Sequence, residues 1–342
     1  MGKGASSTAD AGKTDAGPGG GRLSRIAARR LSTDASVALD LLRALAAILV
    51  MIGHVRGLFF VDFGQVADKS LAIRAIYFAT SLGHEAVMIF FVLSGYFIAG
   101  NVLRALARAG WSWSWYLVRR VTRLHIVLLP ALAAGFLLDS LGLSLFGAAG
   151  PYGAAEAYRA IVPVPVADRL DALTFLGNAF YLQDILTQTL GSNGPLWSLS
   201  YEFWYYLVFP CLALAAVAGG GLGRRLAWLA AAAAILVLTG PLIALYFLIW
   251  LAGAAVLIAL PGPAASIVSV GPRRFLAPSL ASLVCLGVLA ISVTAGLDRI
   301  AADGLVAVAV ALLVATLADI LHDAGDRPAG RGWVRYGAAQ AA

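Results

Sequence analysis

Long apolar runs separated by short polar stretches are the dominant pattern of this 342-residue chain. A run of about 20 apolar residues is long enough to cross the hydrocarbon core of a bilayer as a helix. The pattern therefore predicts an all-α fold, a polytopic transmembrane helix bundle of about 8–10 spans. The predicted spans are residues 38–60, 84–103, 124–146, 197–218, 226–240, 242–260, 275–294 and 304–322.

Two features of the apolar pattern leave the number of spans open. Residues 173–186, with the sequence LTFLGNAFYLQDIL, are apolar but short for a crossing, so a re-entrant or interfacial segment is an alternative to a span. Gly240 and Pro241 separate two runs, and they fit either a tight turn or a kink in one longer helix. In either case we expect residues 37–322 to form the bundle.

Composition places the chain in the membrane. It is 61% hydrophobic and 13% charged, with a mean hydropathy of +0.85, whereas soluble domains are about half apolar and about a quarter charged. The lipid bilayer is therefore a predicted partner, and the pI near 9.6 does not indicate nucleic acid. Cys211 and Cys285 lie in separate apolar runs, so neither a disulfide nor a metal site is expected.

The distribution of basic residues predicts a cytoplasmic amino terminus. Residues 1–36 lack the apolar core of a signal peptide and are predicted to be a disordered basic tail, and residues 323–342 a second cytoplasmic tail. With the amino terminus inside, 18 of the 25 Lys and Arg residues fall in cytoplasmic segments and six fall outside. An excess of this kind is typical of cytoplasmic loops.

The first predicted span carries two ionisable groups, Arg43 and His54, eleven positions apart. At about 100° per residue their offset is within about 20° of three turns, so both lie on one helix face, roughly 16 Å apart along the axis. Two interpretations stay open. Arg43 reaches the interface and His54 bonds a neighbouring helix, or both line a wet cavity, as ionisable groups within spans usually do.

Further charged residues lie at the entrance of the third predicted span and within the fourth. Arg120 and Arg123 lie on one helical face and are either interfacial anchors or a clamp for phosphates, which guanidinium groups bind well. Glu202 is predicted to lie level with His54 and to orient its imidazole as an acid/base pair, the alternative being a structural carboxylate bonded to a tryptophan or serine. We expect His125 to be a satisfied interfacial histidine. The predicted substrate-binding residues are His84, Glu85, Ser94, Trp197 and Ser200.

Four stretches together resemble the acyltransferase-3 family of integral membrane O-acyltransferases. They span residues 39 to about 210 and occur in the order of the family. The stretches are Arg43 with ten residues before His54, FFVLSGYFI at 90–98, the Arg120/Arg123 pair in RRVTRLH, and GSNGPLWSLSYEFWYY at 191–206.

The resemblance implies an activity and a set of roles. Members move an acyl group, usually acetyl, from cytoplasmic acyl-CoA to a hydroxyl of a carbohydrate or glycolipid, so acetyl-CoA is the implied co-substrate and no metal is needed. His54 would be the catalytic histidine with Arg43 its partner, Arg120 and Arg123 would lie at the CoA end, and Glu202 would match the family's carboxylate. A bacterial cytoplasmic membrane is the implied location.

Some alternatives remain. The family pattern implies about ten spans, and the chain stops at RYGAAQAA, so we expect the final span to be missing. His54 could act as a base or as a nucleophile. The competing class is a transporter of a lipid-linked sugar or an anion. No internal repeat is visible and the polar groups crowd before residue 210, which favours the enzyme.

Overall fold

A computed structural model of the chain describes residues 33–61, 63–148, 150–155, 161–217, 221–259 and 276–320, together with Leu23, Ile26, Leu31 and Tyr158. Most of the predicted tail 1–36 and all of the tail 323–342 lie outside the described residues. Ile26 is buried in the main core, so the tail packs on the bundle at that position.

The described residues are helical and contain no strand. The α-helices are α1 (Thr33–Phe59), α2 (Leu71–Ser81), α3 (Gly83–Ala107), α4 (Trp113–Phe146), α5 (Ala172–Ala179), α6 (Trp197–Val217), α7 (Gly221–Thr239), α8 (Pro241–Ala259), α9 (Leu276–Thr294) and α10 (Arg299–Ile320). Short 3₁₀ turns occur at Phe63–Gln65, Gly150–Gly153, Val166–Arg169 and Gly194–Leu196.

The predicted fold class, an all-α polytopic transmembrane bundle, is confirmed. Within the described ranges, eight helical segments are long and apolar enough to cross a membrane, with α2 and α3 counted as one segment. The cytoplasmic position of the amino terminus stays a prediction.

Helix boundaries differ from the apolar runs where local chemistry extends or ends a helix. α4 is 34 residues long and begins at Trp113 rather than 124, because the Ser112 side chain accepts a bond from the Trp115 backbone N–H and caps it there. Gly240 adopts a φ of +87° between α7 and α8. The Gly240-Pro241 pair is therefore a tight turn between two helices.

Helix α3 is the centre of the bundle and contacts α1, α6, α8 and α10. Its closest approach is to α8, where a Cβ atom on Gly95 would lie 1.9 Å from the Trp250 carbonyl oxygen, and one on Gly253 would lie 1.8 Å from that of Val92. Only glycine allows the two backbones to come this close. This contact places side chains of α6 and α8 around the middle of α3.

Residues 162–196 form a re-entrant segment rather than a span. α5 has only eight residues, about 12 Å, which is far short of the hydrocarbon thickness. The two arms of the segment meet where the Gly191 N–H donates to the Arg169 carbonyl at 3.0 Å. The tip of the segment contacts α4 at a different level, where the Ala179 carbonyl is 3.1 Å from Nε2 of His125.

Polar bonds hold the segment at two levels of α4. Near the arms, Asp139 accepts from the Ser192 backbone N–H at 2.7 Å and from its hydroxyl at 2.8 Å. Asp139 and His125 are fourteen residues apart on α4, about 21 Å along the helix. The segment therefore enters and leaves on the same side, and the alternation of the later spans is preserved.

Candidate functional site

A cavity of about 310 Å³ lies between α1, α3, α4 and α6. It collects four of the predicted site residues from four different helices: Arg43, Ser94, Arg123 and Glu202. The rest of its wall is largely apolar and consists of Phe90, Phe97, Ile98, Leu124, Val127, Leu128, Ala131, Leu196, Leu199 and Tyr206. Charged groups from separate helices thus share one space in the interior of a membrane bundle.

Glu202 is the fixed polar group of this cavity. Its Oε1 accepts hydrogen bonds from the Ser94 hydroxyl at 2.9 Å and from the Tyr206 hydroxyl. The Trp250 indole N–H donates in turn to Ser94 Oγ at 3.2 Å. In the described part of the chain, Oε2 of Glu202 has no hydrogen bond. One carboxylate oxygen is therefore held by the protein and the other remains available to a ligand.

The three predicted arginines are placed differently. The Arg43 guanidinium is 3.1 Å from the Asp40 carboxylate and 4.9 Å from the centre of the Phe97 ring. Arg123 is exposed and lines the cavity. Arg120 does not line it, and lies 5.8 Å from the centre of the ring of Tyr206, the residue that bonds Glu202. Arg43 and Arg123 are thus the cations of the cavity itself.

His54 lies away from the cavity. The backbones of α1 and α3 touch beside it, since a Cβ atom on Gly53 would lie 3.2 Å from the Gly83 Cα. Ser94, which bonds Glu202, follows Gly83 by eleven residues, about 16 Å along α3. Among the described residues His54 makes no hydrogen bond, and its side chain is half-buried.

The predicted pairing of His54 with Glu202 is therefore not formed in this structure. Counting from the start of its span placed Glu202 near the outer end, but the re-entrant segment packs against that start. Gln183 donates to the Leu196 carbonyl at 2.8 Å, and the Ser200 hydroxyl donates to the Tyr181 carbonyl at 2.8 Å. The catalytic assignments of both residues stay predictions.

A second polar cluster lies near His54, at the predicted outer end of α3. Nε2 of His84 is 2.9 Å from Oδ2 of Asp303, and the Tyr246 hydroxyl donates to the same carboxylate. The Trp197 ring stacks on His84 with a centroid distance of 5.9 Å. Asp303 and Tyr246 were not predicted as site residues. The position of Asp303 directly before the last apolar run was the available signal, because α10 begins at Arg299 and includes it.

Other predicted site residues are hydrogen-bonded within the protein or buried away from the cavity. Ser200 is fully buried and its hydroxyl is used by the re-entrant segment, so it does not line the cavity. Glu85 is buried, and its Oε2 has no partner among the described residues. His125 is satisfied, as expected, since it donates to the Ala179 carbonyl and accepts from the Tyr181 hydroxyl at 2.8 Å, and its interfacial position stays a prediction.

Two groups near the first arm of the re-entrant segment, Asp171 and Arg169, have shifted pKa values. The Thr174 hydroxyl donates to Asp171 at 2.6 Å, and the Thr174 backbone N–H donates to it at 2.9 Å. These bonds hold the pKa of the Asp171 carboxyl below its usual range. Burial lowers the pKa of the Arg169 guanidinium, with Asp139 and Asp168 opposing the shift. Asp171 caps the start of α5, and Arg169 joins the two arms of the segment by donating to Thr189 and to the Val164 carbonyl.

Comparison with known proteins gives one match. A family model described as an acyltransferase domain matches residues 36–339, nearly the whole chain. No curated protein and no solved structure matches the chain.

Proposed function

This chain belongs to the acyltransferase-3 family of membrane proteins, and from that premise we propose that it transfers an acyl group, acetyl in the first instance, from acyl-CoA to a hydroxyl of a carbohydrate or glycolipid. The donor binds from the cytoplasm, and the acceptor approaches from the other side of a bacterial cytoplasmic membrane.

The cavity that holds Arg43, Arg123 and Glu202 is the observation that carries this proposal. Ionisable side chains are costly within a span, so three of them from separate helices around one space indicate a polar or charged ligand. Guanidinium groups bind phosphate oxygens through paired N–H donors, and CoA supplies phosphates. The apolar part of the wall accepts the chain that joins those phosphates to the thioester.

The separation along α1 fits a donor that is bound at one end and reacts at the other. Arg43 and His54 are about 16 Å apart along that helix, a distance comparable to an extended pantetheine chain. Phosphates at Arg43 and Arg123 would therefore bring the thioester towards His54. Glu202 shares the cavity with the arginines, so we assign it to the donor pocket, where it limits the net positive charge.

At the far end of this path, His54 has no hydrogen bond within the described residues and its imidazole is free to react. It takes the proton of the acceptor hydroxyl or carries the acyl group briefly. In the overall reaction the hydroxyl oxygen bonds to the acyl carbon and the C–S bond breaks. The proton from the hydroxyl ends on the sulfur of CoA.

Replacement of His54 tests the proposal. Membranes containing the full chain are incubated with radiolabelled acetyl-CoA, and label is followed into lipid-linked sugar and polysaccharide. We expect His54→Ala to lower transfer by a factor of about 10² or more at equal protein level, because a general base or nucleophile is lost. Val55→Ala, which changes a neighbouring exposed side chain on the same helix, is the matched control. Undiminished transfer by His54→Ala would refute the assignment.

A further inference from the structure

The cluster of His84, Asp303 and Tyr246 joins three helices and is not used by the donor path described above. His84 lies on α3, Tyr246 on α8 and Asp303 on α10. The Asp303 carboxylate bonds Nε2 of His84 at 2.9 Å and accepts from the Tyr246 hydroxyl. A buried carboxylate without such donors would be strongly unfavourable, so the three groups fix one another.

The cluster presents one open hydrogen-bonding atom. The His84 side chain is 27% exposed, whereas that of Asp303 is 2% exposed. Because Asp303 accepts the proton of Nε2, the neutral imidazole keeps a lone pair on Nδ1. Within the described residues, Nδ1 makes no hydrogen bond. The imidazole is thus held by Asp303 through Nε2, and its Nδ1 can accept a hydrogen bond from a ligand.

An aromatic surface lies beside that atom. The Trp197 ring is half-buried and stacks on the imidazole at 5.9 Å with an angle of 19° between the planes. Trp197 is itself held edge-on by Phe91 and Tyr201. A rigid aromatic ring beside a few placed polar groups is the usual composition of a small-molecule site.

This cluster adjoins the imidazole assigned to the reaction. His54 and His84 each follow a glycine, and those two glycines, Gly53 and Gly83, are in backbone contact. The backbones that carry the two histidines therefore touch one residue before each imidazole. The cavity that holds Arg43 and Glu202 lies further along α3, beginning at Phe90.

We propose that His84 and Trp197, positioned by Asp303 and Tyr246, form the acceptor subsite and that it takes a sugar residue with adjacent hydroxyls. One hydroxyl donates to Nδ1 of His84 and the sugar ring packs on Trp197, while the neighbouring hydroxyl reaches His54. This inference rests on the proposed acyl transfer and names its acceptor class. Asp303 and Tyr246 are positioning residues, because they act through His84.

Two acceptors that differ only in the sugar test the subsite. Membranes that contain the full chain are incubated with acetyl-CoA and one of two acceptors, octyl β-glucoside or 1-octanol. The glucoside is kept below the concentration at which it dissolves the membranes. We expect the wild type to acetylate the glucoside with a kcat/KM about tenfold or more above that for octanol, because octanol has no second hydroxyl for His84. The measured quantity for each variant is the ratio of these two constants.

The variants separate binding from folding. The amide of His84→Gln can still donate to Asp303 but has no atom in place of Nδ1, so we expect the ratio to fall about tenfold. Tyr246→Phe removes one donor to Asp303 and is expected to lower the ratio less. It carries the test if His84→Gln is not recovered in the membrane. The matched control is Tyr205→Phe, whose buried hydroxyl donates only to the Ile243 carbonyl at 2.8 Å.

Each outcome has a separate meaning. A ratio that falls in His84→Gln and Tyr246→Phe but not in Tyr205→Phe supports the subsite. Equal use of both acceptors by the wild type, or variants in which both constants fall together, would overturn the subsite and leave acyl transfer standing. A wild type that acetylates neither acceptor and releases no CoA thiol would overturn the proposed function itself.

Discussion

At the scale of single residues, the bonding of each ionisable group distinguishes site from scaffold. Glu202 is held through one oxygen by Ser94 and Tyr206 and lines a cavity with the other oxygen unbonded in the described structure. The Ser200 hydroxyl, in contrast, donates to the Tyr181 carbonyl within the protein. Residue type alone did not separate these two, because both are polar groups on the same helix.

The arginines of α4 allow a matched prediction at this scale. Arg123 lines the cavity, whereas Arg119 is exposed and stacks over Trp115 at 4.6 Å. We expect Arg123→Ala to weaken CoA binding about tenfold or more, the loss of one charge-assisted hydrogen bond, and Arg119→Ala to change it less than about twofold.

Calorimetric titration of CoA into the purified protein in lipid nanodiscs measures both values. The Arg123 effect should shrink at high salt, because the interaction is between charges. Equal effects of the two substitutions would show that α4 attracts CoA only by its general positive charge.

At the scale of elements, the re-entrant segment decides the depth of its neighbours. It packs on α4 at Asp139 and at His125, and it covers the start of α6 through Gln183 and Tyr181. Its apolar sequence was compatible with a crossing. The buried amide of Asn178, which donates to the Thr174 and Gln188 carbonyls at 2.8 Å, instead closes it into a compact turn.

Replacing the Asp139 carboxylate tests whether it anchors the re-entrant segment to α4. Asp139→Ala leaves the Ser192 N–H and hydroxyl without their acceptor and removes a carboxylate that acts electrostatically on the buried Arg169, so we expect a loss of about 2–4 kcal/mol of stability. Asp168→Ala, an exposed carboxylate that also faces Arg169, should cost less than about 1 kcal/mol.

Thermal unfolding of the two variants in detergent compares the stabilities, and limited proteolysis reports whether residues 180–190 open first in Asp139→Ala. Equal stability of the two variants would mean that Asp139 does not hold the segment.

At the scale of the whole molecule, the re-entrant segment returns to the side from which it enters and so leaves the predicted alternation of the spans unchanged. The predicted excess of basic residues on one side therefore applies to all eight candidate spans. With this orientation the His84 cluster lies at the outer end of α3, and the donor cavity lies further along that helix towards the cytoplasm.

Cysteine labelling in intact cells tests this orientation. Ala148→Cys and Leu297→Cys replace exposed residues predicted to be outside, and Ala107→Cys replaces one predicted to be inside. We expect a membrane-impermeant maleimide to label the first two directly and the third only after permeabilisation. The native Cys211 and Cys285 are buried, which keeps the background low. The reverse pattern would invert the topology and move the arginine cavity to the outer side.

The sequence by itself determined the class of fold, the spans and the resemblance to the family. These depend on local properties, since the transfer of each apolar run into lipid is favourable on its own and the motifs are short. Arg43 and His54 were recognisable for the same reason, as charged or titratable groups in a run that should exclude them, and Arg120 and Arg123 as a pair on one face at the entrance of a span.

Only the tertiary structure decided which of these groups meet. It placed Glu202 with Arg43 rather than with His54, because the depth of α6 is set by the segment packed on its start and not by its own hydropathy. It also joined His84 to Asp303, 219 residues later in the chain. Such pairings depend on the order in which helices pack, and no periodicity within a single run encodes that order.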